Sequence, residues 1–376
     1  MSTSNLKTLI LSASDIEEIV RSVGIDDIMD DLIEAMTTAF ESYDKDKTII
    51  PVRSGFNYEQ PKRGLIEWMP LFNKESNQMI VKMVGYHPDN PDDFKIPTII
   101  STISCYDTKT GHLKGLTDGV FLTALRTGAA SAMVSRVMAP PDSSTLGLIG
   151  CGAQAVTQLH AISRVFKLKK VLFYDKDADT HRSFASRIAM LNLDIELQPA
   201  SIEEIVQHSD IISTATSIDI GEGPLFDQVK TKDHLHINAI GSDFPGKTEL
   251  PLSLLKRSFV CPDFLGQAVV EGECQQLDAT EIGPDFFEYI KNKNKYSTAI
   301  NQTTVFDSTG LPLEDQVVMN LFLNYAEKMN LGQLISIEQL PHDAKSPYDF
   351  MYLKKSIVTP KAIPLESLSN GKSHSK

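Results

Sequence analysis

The run Leu146-Gly-Leu-Ile-Gly150-Cys-Gly152-Ala-Gln-Ala155 leaves this chain few ways to fold. A strand-like stretch, Thr145–Ile149, leads into it, and a helical pattern from Ala153 to Val165 leads out. Between them stands G-x-G-x-x-A, the pattern of a strand–turn–helix that cradles a pyrophosphate. Gly150 permits the tight turn, Gly152 lets backbone approach a phosphate, and Ala155 is small enough for the helix to pack on the strand. Gln154 and Ala153 open the helix, whose free N–H groups face the anion. The next strand, Lys170–Tyr174, ends in Asp175, 25 residues after Gly150. A carboxylate there accepts hydrogen bonds from the ribose hydroxyls and repels a 2′-phosphate. The unit therefore points to a nicotinamide dinucleotide, NAD over NADP, with Asp177 as the competing carboxylate.

The surroundings of this unit set the fold class. From about residue 142 to 315, strand-like segments at Thr145–Ile149, Lys170–Tyr174, Ile211–Thr214, His234–Ile240, Ser258–Cys261 and Thr304–Phe306 alternate with helices. That order implies a parallel, doubly wound sheet of the Rossmann type. The first 130 residues read differently. Ser14-x-x-Glu17 reads as a capping box, and Ile28, Leu32, Met36 and Phe40 recur at helical spacing. Ile66–Met69, Met79–Val84 and Thr98–Cys105 read as strands, and Phe121–Met138 as a helix. The expected class is α/β: a dinucleotide domain over residues 131–315 and a mixed α+β substrate and dimerisation domain over 1–130. Residues 316–355 are expected to return to that domain, and 356–376, rich in Lys, Ser and Pro, to form a disordered tail.

A second pattern points elsewhere. Gly241-Ser-Asp-Phe-Pro-Gly246-Lys247-Thr248 satisfies the P-loop formula G-x-x-x-x-G-K-[ST] of nucleoside triphosphatases. Pro245 removes a backbone donor, Asp243 brings negative charge into the cradle, and Pro251 stands where the following helix should run. Asp243 instead lies past the carboxyl end of a strand, on the side of the sheet where a nicotinamide belongs. A carboxylate there either moves protons or caps a turn, and the pattern alone does not choose.

Asn238-Ala-Ile-Gly-Ser-Asp243-Phe-Pro-Gly-Lys-Thr-Glu-Leu250 resembles the signature loop of the ornithine cyclodeaminase/mu-crystallin family, closest to its cyclodeaminases. The likeness runs from about Pro51 to Glu327. It includes Gly64-Leu-Ile-Glu67-Trp-Met-Pro70, Val81-Lys82, Leu125-Arg126-Thr-Gly-Ala-Ala-Ser-Ala132 and Thr304-Val-Phe-Asp-Ser308. The resemblance implies conversion of L-ornithine to L-proline and ammonia, a step of proline formation, with tightly bound NAD oxidising the substrate and then reducing its cyclised imine. It implies that Arg53, Lys82 and Arg126 meet the substrate carboxylate, that Glu67 neighbours its amine, and that Asp243 transfers protons. A buried ion-pair role for Glu67 stays open. It also implies that Thr98, Arg126, Thr216, Asn238, Ala239, Ile240, Gly241, Lys247 and Ser308 line the cofactor site with Gly150, Gly152, Ala153, Gln154 and Asp175. Ser242 and Phe244 depart from the family pattern, so lysine, giving pipecolate, stays open as a substrate. Reduction of cyclic imines, amino-acid dehydrogenation and cofactor binding without catalysis are the alternatives.

Composition narrows the partners. With 36 basic and 49 acidic residues the formal charge is −13, which disfavours nucleic acid and anionic membranes. No stretch approaches the roughly 18 apolar residues of a membrane span. The four scattered cysteines, Cys105, Cys151, Cys261 and Cys274, fit a reducing cytoplasm and form no metal-binding spacing. The first region has too little sequence for a closed core, so a homodimer is expected.

Overall fold

A computed structural model describes residues 6–227 and 229–354; the tail expected at 356–376 lies outside the described residues. The chain divides by packing into a unit spanning Thr8–Ile335 and a small one made of the residues flanking it in sequence. In the small unit Asp343 and Asp349 organise a turn, the Asp349 carboxylate accepting from the Asp343 amide at 2.8 Å.

The large unit opens with β1 (Thr8–Leu11), α1 (Ala13–Val23) and α2 (Ile25–Ser42). The capping box at α1 is made by Ser12 and Asp15, not by Ser14 and Glu17. Two S-x-x-acid patterns overlap here, and the helix starts after the serine with extended backbone. Then follow β2 (Thr48–Ile49), β3 (Ser54–Tyr58), β4 (Gly64–Asn73), β5 (Gln78–Tyr86), the short α3 (Asn90–Phe94), β6 (Ile99–Asp107), β7 (Leu113–Asp118) and α4 (Val120–Met138). The strands form one mixed sheet, ordered β15-β1-β7-β6-β5-β4-β2, with β3 also on β4 and β15 (Gln333–Ile335) on β1. On its inner face α1 and α2 bury Ile16, Ile19, Ile28, Met29, Leu32, Ile33, Met36 and Phe40 at helical spacing.

After α4 come β8 (Thr145–Ile149), α5 (Ala153–Val165), β9 (Lys170–Tyr174), α6 (Ala178–Ile188), β10 (Glu196–Pro199), α7 (Ile202–His208), β11 (Ile211–Thr214) and β12 (His236–Ala239). The series continues with α8 (Leu252–Leu255), β13 (Phe259–Pro262), α9 (Leu265–Ala268), α10 (Phe286–Lys291), β14 (Thr304–Asp307) and α11 (Pro312–Met329). Seven strands form an all-parallel sheet in the order β10-β9-β8-β11-β12-β14-β13. The strand order reverses between β8 and β11, the place where such sheets open a ligand crevice. The expected α/β class is therefore present, with a Rossmann-type sheet and a second, mixed one.

Helix α4 joins the two sheets. It packs on β6, α2 and α11 from one side and on α5, β12 and β14 from the other. Its small residues make this approach feasible: a Cβ at Gly128 would lie 2.5 Å from the Thr157 carbonyl oxygen on α5. Polar side chains register α4 on the parallel sheet, the Asn238 amide donating to Ser135 Oγ at 3.0 Å. No P-loop forms at Gly241–Thr248. Phe244-Pro-Gly-Lys247 is a turn, the Lys247 amide donating to the Phe244 carbonyl at 3.0 Å and Gly246 having φ +84°. Pro then Gly is the type II arrangement, and no helix starts before Leu252.

Candidate active site

The loops that follow β8, β9, β11, β12, β13 and β14 all leave the same carboxyl edge of the parallel sheet. At β8 the turn Gly150–Gly152 has Gly150 at φ +91°, and a Cβ there would lie 2.5 Å from the Ala215 carbonyl oxygen. Gly152 caps α5 without any side-chain hydrogen bond, and a Cβ on it would meet nothing within 4 Å. The amide end of α5 is thus open to an anion, as a pyrophosphate requires. Asp175 Oδ2 accepts from the Cys151 amide at 2.7 Å, which sets this carboxylate against the turn. Asp177 instead caps α6 through the Thr180 amide, which separates the two competing carboxylates. Arg187, which the sequence did not single out, donates to the Cys151 carbonyl at 2.6 Å and braces the turn from beneath. Gln154 Oε1 accepts from Thr157, and Ala153 is exposed at the helix start.

Two strands along the same edge, Asp243 lies four residues past β12. Lys247 Nζ is 2.8 Å from Asp243 Oδ1 and 5.2 Å from the centre of the Tyr86 ring. Ser242 donates its hydroxyl to the Lys247 carbonyl at 2.5 Å and so closes the loop. Arg53 reaches this loop from the mixed sheet. Its guanidinium donates to the Asp243 carbonyl at 2.9 Å and the Thr309 carbonyl at 3.2 Å, and pairs with Glu67 at 3.5 Å and with Glu271.

The register of the mixed sheet explains what else meets there. Glu67 pairs with Val84, which pairs with Ser101; Met69 pairs with Lys82, which pairs with Ile103. Glu67 and Lys82 therefore lie diagonally on neighbouring strands, on the inner face that α11 covers. Lys82 Nζ contacts Asp315 at 3.0 Å, and the same carboxylate lies 3.5 Å from Arg126 Nε on α4. Glu314 takes the other end of Arg126 at 2.5 Å. One acidic pair at the start of α11 thus holds two buried cations side by side. Burial and the nearby Arg126 push Lys82 down to about 8. Burial pushes Glu67 up, against the pull of Arg53 and Lys82 and with a push from Asp243.

Arg53, Glu67, Lys82, Arg126, Asp243 and Lys247 thus converge on one cluster. Thr216 and Gly241 join it through the carboxylate of Glu249, and Ser308 follows β14, its amide on the Ala239 carbonyl at 2.9 Å. The Ile240 amide is held by the Thr214 carbonyl. Asn238 and Ala239 are wholly buried, and the Asn238 side chain bonds Ser135 and His236, which ties β12 to α4. Thr98 precedes β6 and its carbonyl accepts from the His87 amide. Glu249, Glu271, Glu314 and Asp315 are the residues that sequence reasoning missed.

A profile of the Ornithine cyclodeaminase/mu-crystallin family matches residues 14–329. The chain belongs to this family. It is 39% identical over 344 residues to an L-lysine cyclodeaminase of Streptomyces rapamycinicus, covering 91% of this chain and 99% of that protein. An ornithine cyclodeaminase of Agrobacterium tumefaciens is 29% identical over 312 residues, 81% of this chain and 83% of that protein. A solved lysine cyclodeaminase, described as recognising L-lysine, L-ornithine and L-2,4-diaminobutyric acid, matches with a TM-score of 0.87 at 44% identity, covering 91% and 99% of the two chains. An archaeal alanine dehydrogenase dimer with bound NAD matches with a TM-score of 0.75 at 29% identity, covering 88% and 100%.

A carboxylate docked on Lys82 and Arg126 depends on the charge of Lys82. As pH rises through about 8 that charge is lost, so affinity for a small amino acid should fall across this range and level off where Arg126 alone meets the carboxylate. Lys82→Arg keeps its charge throughout this range and should remove the dependence. Calorimetric titration across the range reads both.

Proposed function

We propose that this family member is an NAD-dependent cyclodeaminase of a linear diamino acid, with L-lysine ahead of L-ornithine. The carrying observation is the pair of carboxylates, Glu67 and Asp243, set among cations at the edge where the dinucleotide turn opens. Five carboxylates (Glu67, Asp243, Glu271, Glu314, Asp315) stand among four cations (Arg53, Lys82, Arg126, Lys247). That balance suits a substrate with one carboxylate and two ammonium groups better than a neutral amino acid. The sequence reading put ornithine first. The higher identity to lysine cyclodeaminases than to an ornithine cyclodeaminase favours the longer substrate.

In this reading Lys82 and Arg126 bind the substrate carboxylate by charge-assisted hydrogen bonds, oriented by Asp315 between them. Arg53 lies at the rim and ties that anchor to the Asp243 loop through the Asp243 carbonyl. Gly150, Gly152, Ala153, Gln154 and Asp175 hold the dinucleotide, with Thr216, Gly241 and Ser308 beside its reactive end. When bound, it would supply the hydride chemistry, accepting a hydride from the substrate α-carbon once the α-ammonium has given a proton to Glu67, and returning it after ring closure. Lys247 engages Asp243 Oδ1, leaving Oδ2 to meet the side-chain ammonium and take its proton. The freed amine forms a bond to the α-carbon imine, and the α-nitrogen leaves as ammonia with the proton that Asp243 returns. Glu67 holds the leaving nitrogen. Fixing the amine against the α-carbon converts ring closure into a proximity-driven step.

We also propose a homodimer through the outer face of the mixed sheet. There Phe56, Ile66 and Ile100 fall in one cross-strand row and Trp68 and Met83 in the next. Phe56 is 69% exposed, and Ile66, Met83 and Ile100 are each at least 40% exposed, an apolar patch that a lone chain would leave in water. The double substitution Ile66→Lys and Met83→Lys should give monomers by sedimentation at micromolar concentration; an unchanged dimer contradicts this face.

Incubation with L-lysine should yield pipecolate and ammonia in equal amounts without net NADH, and ornithine should react more slowly. Asp243→Ala should lower kcat by roughly 10²–10⁴-fold. Stoichiometric accumulation of NADH would instead indicate a dehydrogenase.

A further inference from the structure

We infer that Glu249 is a positioning residue that fixes the two walls of the reaction cleft to each other. Its side chain is wholly buried, and among the described residues no salt bridge reaches it. Four donors converge on it instead. Oε1 accepts from the Thr216 amide at 2.8 Å and the Thr216 hydroxyl at 2.7 Å; Oε2 accepts from the Thr214 hydroxyl at 2.6 Å and the Gly241 amide at 3.0 Å. The fit is close enough that a Cβ on Gly241 would lie 2.3 Å from Oε1.

These donors belong to different walls. Thr214 ends β11 and Thr216 follows it, and the Gly150 turn leans directly on Ala215 between them. Gly241 follows β12 and stands two residues before Asp243. The backbone of Glu249 is anchored independently, its amide on Glu273 Oε1 at 2.7 Å and its carbonyl on the Leu225 amide at 2.8 Å. A rigidly held carboxylate thus sets the distance between the dinucleotide turn and the Asp243 loop. A glutamine cannot replace it: an amide has one acceptor oxygen, and its NH₂ would face donors.

The inference rests on the proposed cyclodeaminase only for its catalytic readout. In Glu249→Gln the Thr216 and Gly241 amides should exchange with deuterium at least tenfold faster in the protein without NAD, while helix content is kept. Its dissociation constant for NAD, read by titration, should rise at least tenfold. With substrate, kcat should fall more than KM changes, and part of the turnovers should leak NADH, because the hydride is no longer returned from a fixed position. Unchanged exchange at both amides together with unchanged NAD affinity overturns the inference. If the parent protein forms no cyclic product, the proposed activity fails, while the exchange and NAD arms still judge Glu249. Should Glu249→Gln not fold, Thr214→Val carries the test: it removes one donor, leaves the acid in place and should weaken NAD binding roughly fivefold. If both fold, the double variant should bind NAD no worse than Glu249→Gln alone, since Thr214 acts through that carboxylate; additive losses contradict it.

Discussion

An ionised carboxylate taken out of water costs several kcal/mol unless cations or hydrogen-bond donors meet it. Among its described residues the large unit buries seven carboxyl groups: Glu249, Asp263, Glu271, Glu273, Asp307, Glu314 and Asp315. Three are answered by cations, Glu271 by Arg53, Glu314 by Arg126, and Asp315 by Lys82 and Arg126. The other four are answered mainly by backbone amides and hydroxyls of the loops beyond the parallel sheet. Asp263 accepts from Gly310 and Phe264, Asp307 from Glu273 and Cys274, and Glu273 from Glu249 and Leu250. Burial holds Asp263 at about 7 and Asp307 at about 6, well above an ordinary aspartate. The loops after β12, β13 and β14 have little regular structure of their own. Their shape is the shape that satisfies these acids, and Asp243 rides on it.

The parts of the fold written in local pattern were legible. The dinucleotide turn was, because each glycine answers a local demand: Gly150 for its positive φ and Gly152 for open space. The strands β8, β9 and β11 were, because a parallel sheet covered on both faces reads as continuous apolar runs. β10 was not: Glu196-Leu-Gln-Pro is a polar edge strand with no run to see. β1 and β15 were missed as well, since strands of four and three residues declare themselves only by pairing across the length of the chain.

The site divides the same way. Asp243 was legible through its loop, and the same loop offered a misleading P-loop formula whose Pro-Gly serves a turn. Arg53, Lys82 and Arg126 were named, and so was Glu67, which pairs with Arg53, but Glu271, Glu314 and Asp315 were not. Arg126 and Glu314 are 188 residues apart and Lys82 and Asp315 are 233 apart, so nothing in local spacing announces either pair. Those partners matter to the reading of function. They turn three apparently free cations into a nearly balanced cluster and move the expected substrate toward a cationic diamino acid.

The central claim is that one bound dinucleotide takes a hydride from the α-carbon and gives it back to the same carbon after the ring has closed. L-lysine deuterated at the α-carbon tests it most directly, with the product read by mass spectrometry and NMR and free NADH monitored in parallel. The account predicts pipecolate that keeps its deuterium at the α-carbon, with none in the NADH pool. Pipecolate without the label, or deuterium accumulating in free NADH, would contradict it.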